Sequence, residues 1–551
     1  MASSKLVLYQ VFTRLYGNRN TTRKENGSID ENGCGKLNDF TPSTLKKIRE
    51  MGVSHIWFTG IIRHATQTDY SAYGIPRQHP AVVKGRAGSP YAITDYYDID
   101  PDLAVDVNQR MQEFEALVER THKAGMKVII DFVPNHVARQ YHSICKPEGV
   151  KDLGEGDNPQ NGFDPQNNFY YCPGQRFTPY FDLYHGEDDP YIEEPAKATG
   201  NDCFHNAPGI NDWYETVKLN YGVDYYAGRV GHFQPIPDTW DKMTDILIFW
   251  AHKGVDGFRC DMAEMVPAAF WQWATDKVKF AYPDKIFIGE VYNPAEYRNY
   301  LAAGFDYLYD KVGMYDTLRE VMRGNYSTHA ITGAWQATDD IRDHMLYFLE
   351  NHDEQRIAST FFAGDAQKGI PALAVSALLH QNPLMIYAGQ EYGEKGMDKE
   401  GFSGNDGRTT IFDYWSVDTL VRAANRKLTP AEKRLKDTYD KIIGIVRSEK
   451  AVTDGVSFDL MYVNGDLHRQ YAFIRKAGSE VLLVVANFDS VSAIANVTIP
   501  AHAFDYLKLK EKNVLATELL YGNKVKFSLK CDEAVTVCVD ALSVAILKFK
   551  A

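Results

Sequence analysis

At 551 residues the chain is too long for one simple core, so two or three domains are expected. Its 44% hydrophobic and 24% charged residues are an ordinary globular balance. The net charge of −13 argues against a nucleic-acid or anionic-membrane partner, because a polyanion would be repelled.

The amino terminus MASSKLVLYQVF lacks a basic segment followed by a long apolar one, so no secretory leader is read there. The 7 cysteines, Cys34, Cys145, Cys172, Cys203, Cys260, Cys531 and Cys538, form no CxxC pair, and their odd, scattered count suits neither a disulfide framework nor zinc. Free thiols in a reducing compartment, hence a cytoplasmic location, are expected. An amphipathic helix is expected over 41–51, with Leu45, Ile48 and Met51 inward and Gly52 as its stop; a buried strand follows. The same unit recurs at 107–124 with Gly125 and at 241–253 with Gly254. Helices alternating with near-continuous apolar strands mean a parallel sheet covered on both faces.

The strand candidates are 6–12, 53–58, 127–133, 257–260, 286–289, 305–309, 345–349 and 384–387. Eight is the number that closes a (β/α)8 TIM barrel. Between the third and fourth lies a stretch rich in Asn, Gly, Pro and Asp, too long for a structureless loop, which reads as an irregular inserted domain. The apolar stretch 371–387 is broken by His380, Gln381 and Asn382 and is no membrane span. Near residue 457 the style changes to short alternating strands, LMYVN, QYAFIRK, VLLVVANF, AIANVTI, VKFSL and VTVCVD, which read as an antiparallel β-sandwich. The expected division is a barrel over 1–137 and 239–450, an insert over 138–238 and a carboxyl-terminal sandwich over 451–551. The first strand begins within ten residues of the start, and a monomer is expected.

Four segments close an apolar or β-branched run on acidic and imidazole side chains: DFVPNH at 131–136, DGFRCD at 256–261, GEVY at 289–292 and ENHD at 350–353. Strands ending this way along one chain place chemistry at the carboxyl rim of a barrel. Asp261 and Glu290 end the fourth and fifth strands, which are neighbours in a barrel, so both can face one cleft. Arg259 lies two residues before Asp261, on the same side of a strand, where a guanidinium keeps a carboxylate ionised. A plain salt-bridged rim would explain Arg259 with Asp261; it would not explain Glu290 and Asp353 as well.

These four segments, in order, with SPYAITDYYD at 89–98 and GQE at 389–391, resemble the α-amylase family of glycoside hydrolases over nearly the whole chain. The resemblance implies Asp261 as nucleophile, Glu290 as acid/base and Asp353 as the third carboxylate, which favours the oxocarbenium-like transition state. It further implies that His136 and His352 donate to sugar hydroxyls and that Tyr91 stacks under the cleaved unit. Asn135 takes the family's ligand position before His136, so one structural calcium (Ca2+) between barrel and insert is expected; no organic cofactor is. DENGCGKLND at 30–39 looks like a second, degraded calcium loop with Cys34 in place of an acidic ligand. After Asp261 come Met262, Ala263, Glu264 and Met265, where many starch-degrading members carry a Lys-His pair in the last two places. The expected function is retaining hydrolysis of α-1,4-glucosidic bonds in starch, glycogen or maltodextrins. The alternatives are a 4-α-glucanotransferase or an exo-acting α-glucosidase, and more remotely an inactive barrel used for binding, which the intact triad disfavours.

Overall fold

The computed structural model describes residues 5–396 and 405–551. Eight parallel strands close a barrel: Val7–Phe12, His55–Thr59, Lys127–Phe132, Gly257–Cys260, Ile286–Gly289, Tyr307–Tyr309, Met345–Phe348 and Leu384–Tyr387. They are strands 1 to 8 below. Closure is direct, since strand 1 pairs with strand 8 (Val7 with Leu384) and with strand 2 (Leu8 with His55). The expected strand at 305–309 shortens to its last three residues.

Side-chain alternation sorts the strands into two layers. Leu8, Trp57, Ile129, Ile288, Leu346 and Met385 fill the interior. Their neighbours, such as Val7, Ile56, Val128 and Phe287, face the surrounding helices. The first of these helices, Pro42–Glu50, begins where the Thr41 hydroxyl accepts from the Thr44 N–H and proline takes the first turn. Gly52, with φ at +111°, then turns the chain towards strand 2. The second, Arg110–Lys123, starts later than expected because Val107–Gln109 is a tight 3-10 turn. The third, Asp238–His252, starts earlier, directly after Pro237.

The described residues 139–237 form no α-helix. They are held by two-residue and three-residue ribbons, of which Thr216–Lys218 pairs with His136–Ala138 and ties the segment to the rim beyond strand 3. The loop after strand 2 carries its own ribbon, Ile62–His64 against Ile93–Ile99. The chain ends in a six-stranded antiparallel sheet and a separate two-stranded one. Two strands escaped the sequence reading, Lys512–Glu518 and Ser543–Lys550. LMYVN is not a strand: the strand is Val456–Asp459, and Met461–Val463 is a 3-10 turn. The Asp459 carboxylate accepts from the Met461 N–H at 2.6 Å, and the Asn464 amide donates to the Leu460 carbonyl, so local side chains capture the backbone. The apolar stretch near 371 forms a helix, Gly369–Leu378, all of whose residues are buried. No helix among the described residues is long and apolar enough to cross a membrane.

Candidate active site

The alternation that places Ile129 and Ile288 in the barrel interior places Asp131 and Glu290 two residues on, at the rim. The ladder runs on past the strand ends: the Asp261 N–H donates to the Phe132 carbonyl at 2.9 Å, and the Glu290 N–H to the Cys260 carbonyl at 3.1 Å. Backbone pairing therefore holds these carboxylates side by side at the rim.

Arg259 sits at the centre with no exposed surface. Its Nη1 lies 2.6 Å from Asp261 and 3.6 Å from Asp131, and its Nη2 lies 2.8 Å from Glu290. The rings of Trp57, Tyr91 and Tyr309 surround the guanidinium at 5.1, 5.6 and 5.5 Å from their centroids. A weakly hydrated, planar cation suits such a dry cage better than an ammonium would. Burial pushes the Asp261 carboxyl well above the usual carboxylate range, against the pull of Arg259 and with help from Glu290 and Asp353. Burial likewise raises Asp131 to about 6, again opposed by Arg259.

His352 is buried against strand 1, where the Gln10 amide donates to its Nδ1 at 2.8 Å. That leaves the proton on Nε2, which faces the Tyr91 hydroxyl at 2.5 Å and the Asp353 carboxylate at 3.0 Å. Tyr91 in turn donates to Asp131 at 3.4 Å. Burial, with Arg259 adding to it, holds His352 well below its usual range, and burial lowers His136 to about 3. Both rings are thus neutral donors at pH 7. Asp353 reaches the cleft on a turn shaped by Asn351, whose side-chain oxygen accepts from the N–H groups of Asp353 and Glu354. The Asp353 side chain keeps 41% of its surface exposed at the cleft; partial burial, then the nearby Glu290 carboxylate, push it up to about 7.

Glu290 has two further partners. The Tyr292 hydroxyl donates to its Oε1 at 2.6 Å, and the Met262 N–H donates to its Oε2 at 2.8 Å. Met262 adopts a left-handed conformation, φ 45°, which costs a residue with a side chain about 1 kcal/mol. The twist aims its N–H at the acid, so the strain sits where it serves the site. Glu264 accepts from the N–H groups of Tyr292 and Asn293, lacing the loops after strands 4 and 5 together.

A cavity of about 370 Å³ opens over these groups, lined by Tyr91, His136, Asp261, Glu290 and Asp353. The insert contributes Trp213, whose ring lies 5.2 Å from that of His136. The seven expected site residues other than Asn135 thus converge. The sequence reading missed Asp131, Trp57, Gln10, Tyr292 and Trp213. Two had a readable signal: Asp131 opens the DFVPNH segment, and Tyr292 lies two residues beyond Glu290. Trp213 had none, because nothing in an irregular insert fixes which ring reaches the rim.

Asn135 does not fit the expected calcium. Its side-chain oxygen accepts from the Lys218 ammonium at 2.6 Å, and its amide donates to the Gly200 carbonyl at 2.8 Å. Lys218 is buried and pairs with Asp202 at 2.7 Å. A divalent cation on the same oxygen would press against a desolvated ammonium. In the loop over 30–39, the Asn32 side chain is committed to the backbone of Lys24 and Tyr414. Asp95, Asp98 and Cys145 come close enough to share an ion, but the guanidiniums of Arg63 and Arg110 already neutralise the two carboxylates.

Residues 10–433 match the α-amylase catalytic domain. The chain belongs to the α-amylase family of glycoside hydrolases. It is 24% identical to Alpha-amylase 3 of Dictyoglomus thermophilum over 78% of this chain and 81% of that protein. It is 25% identical to the α-amylase MalA of Haloarcula japonica, over 88% of this chain and 55% of that protein. With a cyclomaltodextrin glucanotransferase of Geobacillus stearothermophilus the identity is 23%, over 88% and 60%. The chain therefore spans little more than half the length of several relatives. Among solved structures, a maltogenic α-amylase from Thermotoga neapolitana superposes with a TM-score of 0.65 at 20% identity, covering 100% of both chains. An α-amylase from Geobacillus thermoleovorans complexed with acarbose gives 0.66 at 20% identity, covering 99% and 98%.

Proposed function

We propose that the protein hydrolyses α-1,4-glucosidic bonds of starch, glycogen or maltodextrins by double displacement. The observation that carries this reading is the single guanidinium of Arg259 in contact with both Asp261 and Glu290. Two carboxyls on one planar fork are close enough for a retaining pair, which needs about 5–5.5 Å. In this reading Asp261 attacks the anomeric carbon while Glu290 gives its proton to the leaving oxygen. Glu290 then takes a proton from the water that releases the sugar. Asp353, with the N–H of His352 beside it, binds ring hydroxyls and supports the positive charge of the transition state. Tyr91 packs beneath the cleaved unit, and His136 donates to a hydroxyl from the insert side.

The covalent intermediate can also be taken by a sugar hydroxyl, which is how a 4-α-glucanotransferase reading would arise from the same residues. A time course of products from amylose, maltotriose and pullulan separates these. Early mixed oligosaccharides are expected; glucose alone would mean exo action, and products longer than the substrate would mean transfer. Seven unpaired cysteines support action in a reducing compartment such as the cytoplasm. Light scattering tests the expected monomer.

A further inference from the structure

The structure holds a second ring-lined depression, far along the chain from the rim, where the helix His329–Gln336 meets the start of the carboxyl-terminal sheet. It encloses about 300 Å³ and is lined by Trp335, Gln336, Phe458, Tyr462 and Tyr506. Tyr462 and Tyr506 are 55% and 59% exposed, so more than half of each ring faces solvent. They are not loose. Phe458 packs against both, at 6.5 and 5.9 Å between centroids, and the Tyr462 hydroxyl bonds the His502 ring.

The charge of the crevice indicates what it can hold. Its one carboxylate, Asp459, is fully engaged: one oxygen accepts from the Met461 N–H, the other from Thr332, Trp335 and Tyr471. What remains is neutral and polar, namely the exposed Gln336 amide and the Ser457 hydroxyl. The latter is buried and has no hydrogen-bond partner among the described residues. Flat rings held at fixed tilts beside an exposed neutral amide suit an uncharged, polyhydroxylated ring, which offers a C–H face for stacking and hydroxyls at its edge. The lining presents no uncommitted charge to an ion, since its one carboxylate already accepts from four donors.

We propose that this crevice is a non-catalytic binding site for an α-glucan chain, which keeps a long substrate on the enzyme between cleavages. The proposal rests on the glucan-hydrolase reading above. The test uses the full chain with Tyr462→Ala and Tyr506→Ala, singly and together, and Gln336→Ala as a milder variant outside the ring cluster. Adsorption to insoluble starch and retardation in amylopectin gels should fall several-fold in the double variant. Turnover of maltotetraose, too short to occupy both sites, should stay within about twofold, as a site worth only part of the binding energy implies. Unchanged adsorption and retardation in both the double variant and Gln336→Ala would overturn the proposal. So would a dimer that these substitutions dissolve while adsorption persists. Adsorption needs no turnover, so a protein that hydrolyses no glucan at all would sink the proposed function and leave the crevice still tested.

Discussion

The ammonium of Lys218 lies 2.6 Å from the side-chain oxygen of Asn135 and 2.7 Å from the carboxylate of Asp202, joining the barrel rim to the insert through one internal cation. Lys218 belongs to the ribbon that pairs with His136, so this link also sets where His136 and Trp213 stand over the cleft.

The protein should melt at the same temperature with EDTA or with millimolar calcium, since no ion needs to bind at Asn135 for the native state to be favoured. Lys218→Met should lower stability by about 1–3 kcal/mol, the cost of leaving buried polar partners unsatisfied. A drop of several degrees on adding EDTA to the native protein would contradict the lysine link.

Asp261→Asn and Glu290→Gln should each reduce turnover by about 10³-fold or more, as expected for groups that act as a unit. Circular dichroism should show the native fold for both. NMR of the first-formed product should show the α-anomer; a β-anomer would exclude the retaining assignment.

Asp353 provides a pH signature of stability. Its folded value of about 7 lies above the roughly 3.9 of an unfolded aspartate, so the native state prefers the protonated form. The stability it allows is therefore complete below pH 4 and is lost as pH rises towards 7. Asp131, raised to about 6, loses stability in much the same window. Asp353→Asn should consequently melt higher than the wild type at pH 7.5 and equal to it near pH 4, while losing activity. Parallel melting curves at both pH values would refute this.

Tyr292→Phe removes the hydroxyl that donates to Glu290 and nothing else of size. It should lower kcat by about tenfold, the equivalent of one hydrogen bond worth about 1.4 kcal/mol, with little change in melting temperature. Equal kcat would mean that the Met262 N–H and Arg259 suffice to orient the acid.

Much of this arrangement was legible because barrel strands repeat a simple rule. A two-residue period, read from Ile129 to Asp131 or from Ile288 to Glu290, carries the eye from the core to the rim. It does not say which inward strand residues, such as Gln10 and Trp57, touch the site, and it does not reach the loops. Tyr91 and Trp213 come from loops whose shape is set by ribbons of a few residues, too short for periodicity to reveal. LMYVN has the composition of a strand, yet Asp459 and Asn464 fold it into a turn. The lysine at Asn135 was hidden for a related reason: Lys218 is 83 residues away in the chain, and only the folded ribbon brings its charge there.

The wholly buried helix Gly369–Leu378 bears on how the molecule is put together. One continuous apolar core includes its Leu373 and Leu378 together with Leu483 and Ile546 of the terminal sheet. Arg475 of that sheet donates to the Leu379 carbonyl at the helix end and to the carbonyls of Ala451, Val452 and Gly455. The terminal sheet is thus a wall of the barrel, not a detachable appendage. A chain cut after residue 450 would bare one side of that helix to water and should aggregate, and heating the full chain should melt barrel and sheet in a single transition.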